Sequence, residues 1–286
     1  MPIGAATRIC AIFGHPVGHS LSPAMHNAAF HALGLDYVYL AHDVLPDQLI
    51  SAMNGVRAMN YRGLSITIPH KVAALPLMDE VDRVAAGIGC INTVVNDAGR
   101  LVGHNSDGLG ALGALRRADA DPTGKNVVML GSGGAARAIA MTLALEAPPH
   151  RLSLYGVVPN ELAQLAADVR AQSGIEVVTH ALDSASLAEP LASADLLLQT
   201  TPVGMAPHTD RSLVPLELLR PNLVVFDAVY TPRRTKLLND AAACGARVIE
   251  GLDMFLGQAL VQFELFTGQK PPEDTMRSVV ERCLGK

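Results

Sequence analysis

A lysine ends the run Gly63-Leu-Ser-Ile-Thr-Ile-Pro-His-Lys71. The alternation before it reads as a buried strand, Leu64–Ile68, stopped by Pro69. Such a strand end holds an ammonium group at the rim of a sheet, near the hydroxyls of Ser65 and Thr67. A carboxylate of matching use, Asp107, lies in Gly103-His-Asn-Ser-Asp-Gly108. An ammonium and a carboxylate facing one ligand oxygen are the types needed to move a proton on or off it. A neighbouring carboxylate also orients the lysine, and partial desolvation lowers its pKa. Each residue has a plainer alternative. Lys71 alone is a surface lysine, and Asp107 before Gly108 is a common turn pair. Only as a pair do they point to acid–base chemistry.

A third element is Gly14-His-Pro-Val-Gly-His-Ser-Leu-Ser-Pro23. It follows the apolar run Ile9–Phe13 and presents Ser20 and Ser22 at a helix start. Two hydroxyls with free helix N–H groups suit a small carboxylate. The simpler use is N-capping by Ser22, with Pro23 in the first turn. His15 and His19 lack a carboxylate or Cys partner at ligand spacing, so no metal site is expected.

A fourth element is Gly131-x-Gly133-x-x-Ala136, set between the apolar run Val127–Leu130 and an alanine-rich helical stretch reaching about Glu146. The first glycine permits a tight turn, the second lets backbone approach a pyrophosphate, and Ala136 allows close helix–strand packing. The helix N-terminus then offers unpaired N–H groups to phosphate. A dinucleotide is the expected ligand, and its hydride chemistry would use the proton-moving pair. An NAD site carries Asp or Glu ~20 residues on, and an NADP site carries Arg. Tyr155-Gly-Val-Val158 has neither, and the next charged residue is Glu161. Both NADP and NAD stay open.

The elements that must position these groups read as α/β. In the first part, strands Ile9–Phe13, Tyr37–His42, Leu64–Ile68 and Asn92–Val95 alternate with helices Pro23–Leu33 and Pro46–Arg57. In the second, short apolar strands at Val127–Leu130, Leu152–Tyr155, Val177–Val178, Leu196–Leu198 and Leu223–Phe226 alternate with helices, as in a covered parallel sheet. The last part is helical, Leu252–Thr267 and Glu273–Cys283. The chain has 286 residues, enough for two domains. A hydrophobic share of 49% against 17% charged residues predicts a globular protein. A net charge of −5 with scattered Lys and Arg points to neither nucleic acid nor membrane. No apolar run approaches the ~20 residues of a membrane span, and the N-terminus lacks the pattern of a signal peptide. Cys10, Cys90, Cys244 and Cys283 lie too far apart for a CxxC site, so a reduced cytoplasmic location is expected. Trp is absent, and Ala and Leu must fill most of the core.

Six segments in order resemble the shikimate dehydrogenase family, including its quinate/shikimate members. They are Ile12-Phe-Gly-His-Pro-Val-Gly-His-Ser-Leu-Ser-Pro23, Ser65-Ile-Thr-Ile-Pro-His-Lys71, Gly89-Cys-Ile-Asn-Thr93, Gly103-His-Asn-Ser-Asp-Gly108, Gly131-Ser-Gly-Gly-Ala135 and Gly251-Leu-Asp-Met254. The resemblance spans nearly the whole chain. It implies reversible reduction of 3-dehydroshikimate to shikimate with a nicotinamide cofactor, NADP or NAD. It implies an N-terminal α/β substrate domain, residues 1–108, and a Rossmann-like dinucleotide-binding domain, residues 109–251. The C-terminal helices, residues 252–286, would return to the substrate domain, with the substrate in a cleft between domains.

By motif position, the resemblance makes Lys71 and Asp107 the catalytic pair and gives Ser20 and Ser22 the substrate carboxylate. Ser65, Thr67, Asn92, Tyr230 and Gln258 would hold ring hydroxyls or the carboxylate end. Taken alone, Tyr230 is a core tyrosine and Gln258 an exposed helical glutamine, with Gln262 one turn on. Cofactor contacts would come from Gly131, Ser132, Gly133, Gly134, Ala135, Gly156 and Gly251, and from Thr201, Val203 and Met205 in a loop near the nicotinamide. Ser65 stands where many bacterial members carry Asn. Tyr155-Gly-Val-Val158 stands where NADP-specific members carry Asn-Arg-Thr, and NAD-preferring members place an acid at Gly156. Quinate, saturated and with one more hydroxyl, stays open as a substrate, as do monomer and homodimer. A non-catalytic sensor of the same fold is disfavoured by the presence of both Lys71 and Asp107.

Overall fold

A computed structural model describes residues 3–183 and 186–284. The chain divides into two units: Met1–Ser106 with Gln258–Lys286, and Asp107–Gly257.

The first unit contains β1 (Arg8–Gly14), α1 (Ser22–Ala32), β2 (Tyr37–Asp43), α2 (Leu49–Ala58), β3 (Gly63–Ile66), β4 (Glu80–Val81), α3 (Arg83–Ile88), β5 (Thr93–Asp97) and β6 (Arg100–His104). Its sheet runs in the order β2-β1-β3-β5-β6-β4. β1 is parallel to β2 and β3, β5 is antiparallel to both β3 and β6, and β4 is parallel to β6. Alternation fails to mark these strands because both faces of β1 and β3 are covered. Ala11, Ile12, Phe13, Leu64 and Ile66 are all buried. The expected strand Leu64–Ile68 is therefore shorter, ending at Ile66. Thr67 and Ile68 leave the ladder, and Ile68 is exposed. These strand directions put the carboxyl ends of β1, β3 and β6 and the amino end of β5 along one edge of the sheet.

The second unit opens with α4 (Ser106–Arg117), whose first residue belongs to the first unit. It continues with β7 (Asn126–Leu130), α5 (Gly134–Glu146), β8 (Arg151–Gly156), α6 (Pro159–Gln172), β9 (Glu176–Ala181), α7 (Ala188–Ser193), β10 (Leu196–Gln199), β11 (Val224–Asp227), α8 (Lys236–Ala243) and β12 (Arg247–Ile249). The division then falls within α9 (Gly251–Thr267), and α10 (Glu273–Leu284) belongs to the first unit. All six strands are parallel, in the order β12-β11-β10-β7-β8-β9. Counted from β7, this is the 3-2-1-4-5-6 order of a doubly wound sheet. The order reverses between β7 and β10, so their carboxyl ends form the crevice where such sheets bind ligands. Leu130, Tyr155, Leu197, Val225 and Leu238 belong to one core on this sheet.

One expectation about a helix start needs correction. Ser22 is not the N-cap of α1. Leu21 takes that position with no side-chain cap, and Ser22 already lies in the first turn with Pro23. The plainer alternative for Asp107, a turn residue, also does not hold: it sits in the first turn of α4, where a carboxylate complements the helix dipole.

Asp227 shapes the loop after β11. Its side chain is fully buried. Oδ1 accepts the Val229 N–H at 3.0 Å, and Oδ2 accepts the Thr235 hydroxyl at 2.6 Å. Burial pushes its pKa from 3.8 up to about 6, opposed by those two hydrogen bonds. A raised carboxyl pKa favours the protonated form in the folded state. Its stabilising contribution is therefore complete below pH 4 and lost as pH rises through 6. Asp227→Asn stays neutral throughout. The stability of the parent relative to this variant should fall by about 2 kcal/mol between pH 4 and pH 7, measured by urea unfolding. A difference independent of pH would show that Asp227 does not titrate in this range.

Candidate active site

The shared edge of the first sheet gathers polar side chains from separate strands. After β1, Gly14 lets Thr67 approach closely; a Cβ on Gly14 would lie 2.4 Å from Thr67 Cγ2. The Thr67 N–H donates to Phe13 O at 2.9 Å, and the His15 N–H donates to Ile68 O at 3.0 Å. The loop then turns back, with the Ser22 N–H donating to Ser20 Oγ at 3.3 Å. Past β3, the backbone folds into a turn in which the His70 N–H donates to Thr67 O at 2.9 Å. The buried His70 ring bonds Val44 O through Nε2 at 2.7 Å. That anchor fixes the backbone of the next residue, Lys71, which is half-buried and whose carbonyl accepts the Ile91 N–H at 3.0 Å. Asn92 follows immediately at the head of β5. Ser20, Ser22, Ser65, Thr67, Lys71 and Asn92 thus issue from one sheet edge.

Behind them runs a buried polar chain. The Tyr39 hydroxyl donates to Ser65 Oγ at 2.6 Å, and Ser65 donates to Gln262 Oε1 at 2.7 Å. Gln262 Nε2 donates to Thr93 Oγ1 at 3.1 Å and Ser106 Oγ at 3.3 Å. Asn92 Oδ1 accepts from Thr93 Oγ1 at 2.7 Å, from the Ser106 N–H at 2.7 Å and from Ser106 Oγ at 3.1 Å. Burial raises the Tyr39 phenol above its usual range, with Ser65 and Ser22 opposing. His26 stacks on Tyr39, with ring centroids 4.5 Å apart and planes within 6°. It is fully buried, and burial holds it neutral, with its pKa down to about 3 and Gln262 opposing the shift. Nothing in the sequence marks Tyr39, Thr93, Ser106 or His26 as site residues. Gln262 alone leaves a trace, one helical turn from Gln258. Thr93 and Ser106 are neighbours, in the same runs, of Asn92 and Asp107.

Asp107 and Tyr230 belong to the second unit. The Tyr230 ring is exposed and stacks on Phe255 at 5.4 Å, so it is no core tyrosine. Gln258 stands on the α9 portion of the first unit. Among the described residues, no group of three or more His, Cys, Asp or Glu side chains is placed to hold a metal ion.

At the switch point of the second sheet, Gly131 adopts φ +121°, and a Cβ there would meet Thr200 Oγ1 at 2.5 Å. Gly133 caps α5 without a side-chain bond, and Gly133 and Gly134 face open space. The first N–H groups of α5 therefore line a concavity that no side chain of Gly133 or Gly134 fills, which fits a pyrophosphate. Ala136 is fully buried against the sheet. The loop after β10 is laced to Gln199, which accepts from the Thr201 N–H and hydroxyl, each at 3.1 Å, and donates to Val203 O at 3.2 Å. Met205 projects from that loop, half exposed. Gly251 allows α9 to start against the loop after β11; a Cβ would lie 2.5 Å from Val229 O.

Beyond the glycine turn lies a cavity of about 460 Å³ at the ends of β8 and β9. Gly156, Val157, Pro159, Leu162, Thr179 and His180 contribute to its wall, which includes no Lys or Arg. Gly156 is crowded: a Cβ would lie 2.8 Å from Ser132 Oγ. A side chain at this position would require the Ser132 side chain to shift. Val157 is 75% exposed. Among the described residues, the wall of this cavity carries neither a carboxylate nor a Lys or Arg side chain.

A doubly wound sheet with this glycine turn defines the second unit as a nicotinamide-dinucleotide-binding domain, joined to a smaller α/β unit that carries a polar ligand site. The substrate binding domain of shikimate dehydrogenase matches residues 12–94, and the shikimate 5′-dehydrogenase C-terminal domain matches residues 251–281. The shikimate dehydrogenase (NADP(+)) of Moorella thermoacetica is 44% identical, over 99% of this chain and 96% of that one. The crystal structure of shikimate 5-dehydrogenase from Listeria monocytogenes in complex with shikimate and NAD superposes with a TM-score of 0.94, at 34% identity over 98% of each chain. Quinate dehydrogenase from Corynebacterium glutamicum in complex with NAD gives 0.87, at 31% identity over 96% of this chain and 99% of that one. The chain belongs to the shikimate dehydrogenase family.

The bare ribose wall is open to test. Val157→Arg would supply a guanidinium for a 2′-phosphate. It should tighten NADP binding by ~10-fold or more and change NAD binding by less than ~3-fold, measured by equilibrium titration without substrate. Equal effects on both dinucleotides would place the ribose elsewhere.

Proposed function

We propose that this chain catalyses the reversible, NAD(P)H-dependent reduction of 3-dehydroshikimate to shikimate. The observation that carries the reading is the polar edge of the first unit. Two serines, a threonine, a lysine and an asparagine there suit a small ring that bears one carboxylate and several hydroxyls. In this reading Ser20 and Ser22 hold the carboxylate, while Ser65, Thr67, Asn92, Tyr230 and Gln258 meet ring hydroxyls or the carboxylate end. The glycine turn Gly131–Ala135, with Gly156, Thr201, Val203, Met205 and Gly251, holds the dinucleotide. The nicotinamide, when bound, supplies or accepts the hydride.

Lys71 and Asp107 handle the proton. In the reductive direction the Lys71 ammonium donates its proton to the carbonyl oxygen as that oxygen gains charge. In the oxidative direction the neutral amine takes the hydroxyl proton back. The Asp107 carboxylate orients the ammonium and stabilises its charged form. The first-unit sheet supports this assignment, because the His70 anchor and the Ile91 bond fix the backbone at Lys71. A cytoplasmic setting belongs to the same reading. All four cysteines are free, and among the described residues no helix is long and apolar enough to cross a membrane.

Quinate is the second candidate substrate, favoured by the likeness to the Corynebacterium quinate dehydrogenase. Steady-state rates with shikimate and quinate, each with NAD and NADP, separate the two. Shikimate should be turned over with at least one dinucleotide. No turnover with either would sink the proposal. Lys71→Ala should then lower kcat by ~100-fold or more with little change in KM. An unchanged kcat would remove Lys71 from the chemistry.

A further inference from the structure

The buried chain behind Asn92 has a direction. An amide side chain can face a ligand with its oxygen or its nitrogen, and the two ends recognise opposite partners. At Asn92 the Ser106 backbone N–H, 2.7 Å from Oδ1, can only donate, which turns the oxygen inward. The other two donors to Oδ1 are the hydroxyls of Thr93 and Ser106. Hydroxyls rotate to whichever acceptor is offered.

Gln262 removes that freedom. Its Nε2 donates to both hydroxyl oxygens, at 3.1 and 3.3 Å, so their protons point away from it, to Asn92 Oδ1 or across the 3.2 Å between the two hydroxyls. The sense of Gln262 is set by the Asn92 backbone carbonyl, 3.4 Å from Nε2, which can only accept; Oε1 then accepts the Ser65 proton, and Ser65 accepts the Tyr39 proton. If the Gln262 amide were reversed, its oxygen would capture the Thr93 and Ser106 protons. Asn92 Oδ1 would then lose both hydroxyl donors. Every member of this chain from Tyr39 to Asn92 is buried. In so dry a setting an unsatisfied group is costly, and the chain keeps one sense.

We propose that Gln262, backed by Tyr39 and Ser65, is a positioning residue that holds the Asn92 amide with its nitrogen toward the substrate. The proposal rests on the reading that Asn92 meets a substrate hydroxyl. It also gives Ser65 a second duty. Its proton is committed to Gln262, so toward any ligand Ser65 can only accept.

Gln262→Met keeps volume and helix propensity while deleting the amide. It should raise KM for shikimate by ~10-fold or more, hold kcat within ~3-fold, and leave the dinucleotide KM unchanged. On an Asn92→Ala background the same substitution should have no further effect, since Gln262 acts through Asn92. Tyr39→Phe removes one oxygen and should act in the same direction more weakly, also only while Asn92 is present. It keeps the test intact if the methionine variant does not fold. Full additivity of Gln262→Met and Asn92→Ala, with parent turnover normal, would overturn the proposal and leave the assigned activity standing. So would an Asn92→Ala enzyme with unchanged KM. Absence of shikimate turnover in the parent would instead end the functional reading itself.

Discussion

Much of the first unit depends on one constraint: polar groups buried together must satisfy one another. A run of hydroxyls and amides inside a core is tolerable only when every member has partners, since each orphan costs about 1–3 kcal/mol. The chain from Tyr39 through Ser65 and Gln262 to Asn92 meets that demand by drawing on β2, β3, β5, α4 and α9 at once. It stitches α9 to strands near the N-terminus. The same bonds that keep the core satisfied also orient the amide at the edge of the sheet. Stability and recognition there share a single set of contacts.

The second unit works by leaving space instead. Gly131, Gly133 and Gly134 carry no side chain where the α5 N-terminus opens, and Gly156 cannot accept one without moving Ser132. The crowding at Gly156 links two features that look separate in the sequence, the glycine turn and the absence of an acid at the end of β8. A turn packed this closely on β8 admits a side chain there only if Ser132 shifts. Farther out, Val157 is exposed and, among the described residues, no Lys or Arg lines the cavity wall.

What the sequence reveals depends on the range of the interactions. Apolar runs such as Val127–Leu130 and the glycine turn after them are local patterns, and the parallel sheet is legible from them. The strand before Lys71 is readable, though its end is not. Thr67 still donates one backbone bond to Phe13, and only the loss of the ladder beyond it shows where β3 stops. Ser22 resembles an N-cap because the residue type and Pro23 both suit one, but the helix begins a residue earlier. Tyr39 and Gln262 cannot be picked out by spacing. They lie more than 200 residues apart and meet through Ser65. A buried tyrosine on a strand and a glutamine on a helix carry no mark of their shared bond until the chain is folded.

Shikimate reception by the edge formed by β1, β3, β5 and β6 is the central claim. A crystal structure of the protein grown with shikimate tests it most directly. The expected result is the ring on that edge, its carboxylate on Ser20 and Ser22, one ring hydroxyl at the Asn92 amide nitrogen, and the reacting hydroxyl at Lys71. Shikimate bound away from this edge, or an Asn92 amide with its oxygen toward the ring, would contradict it.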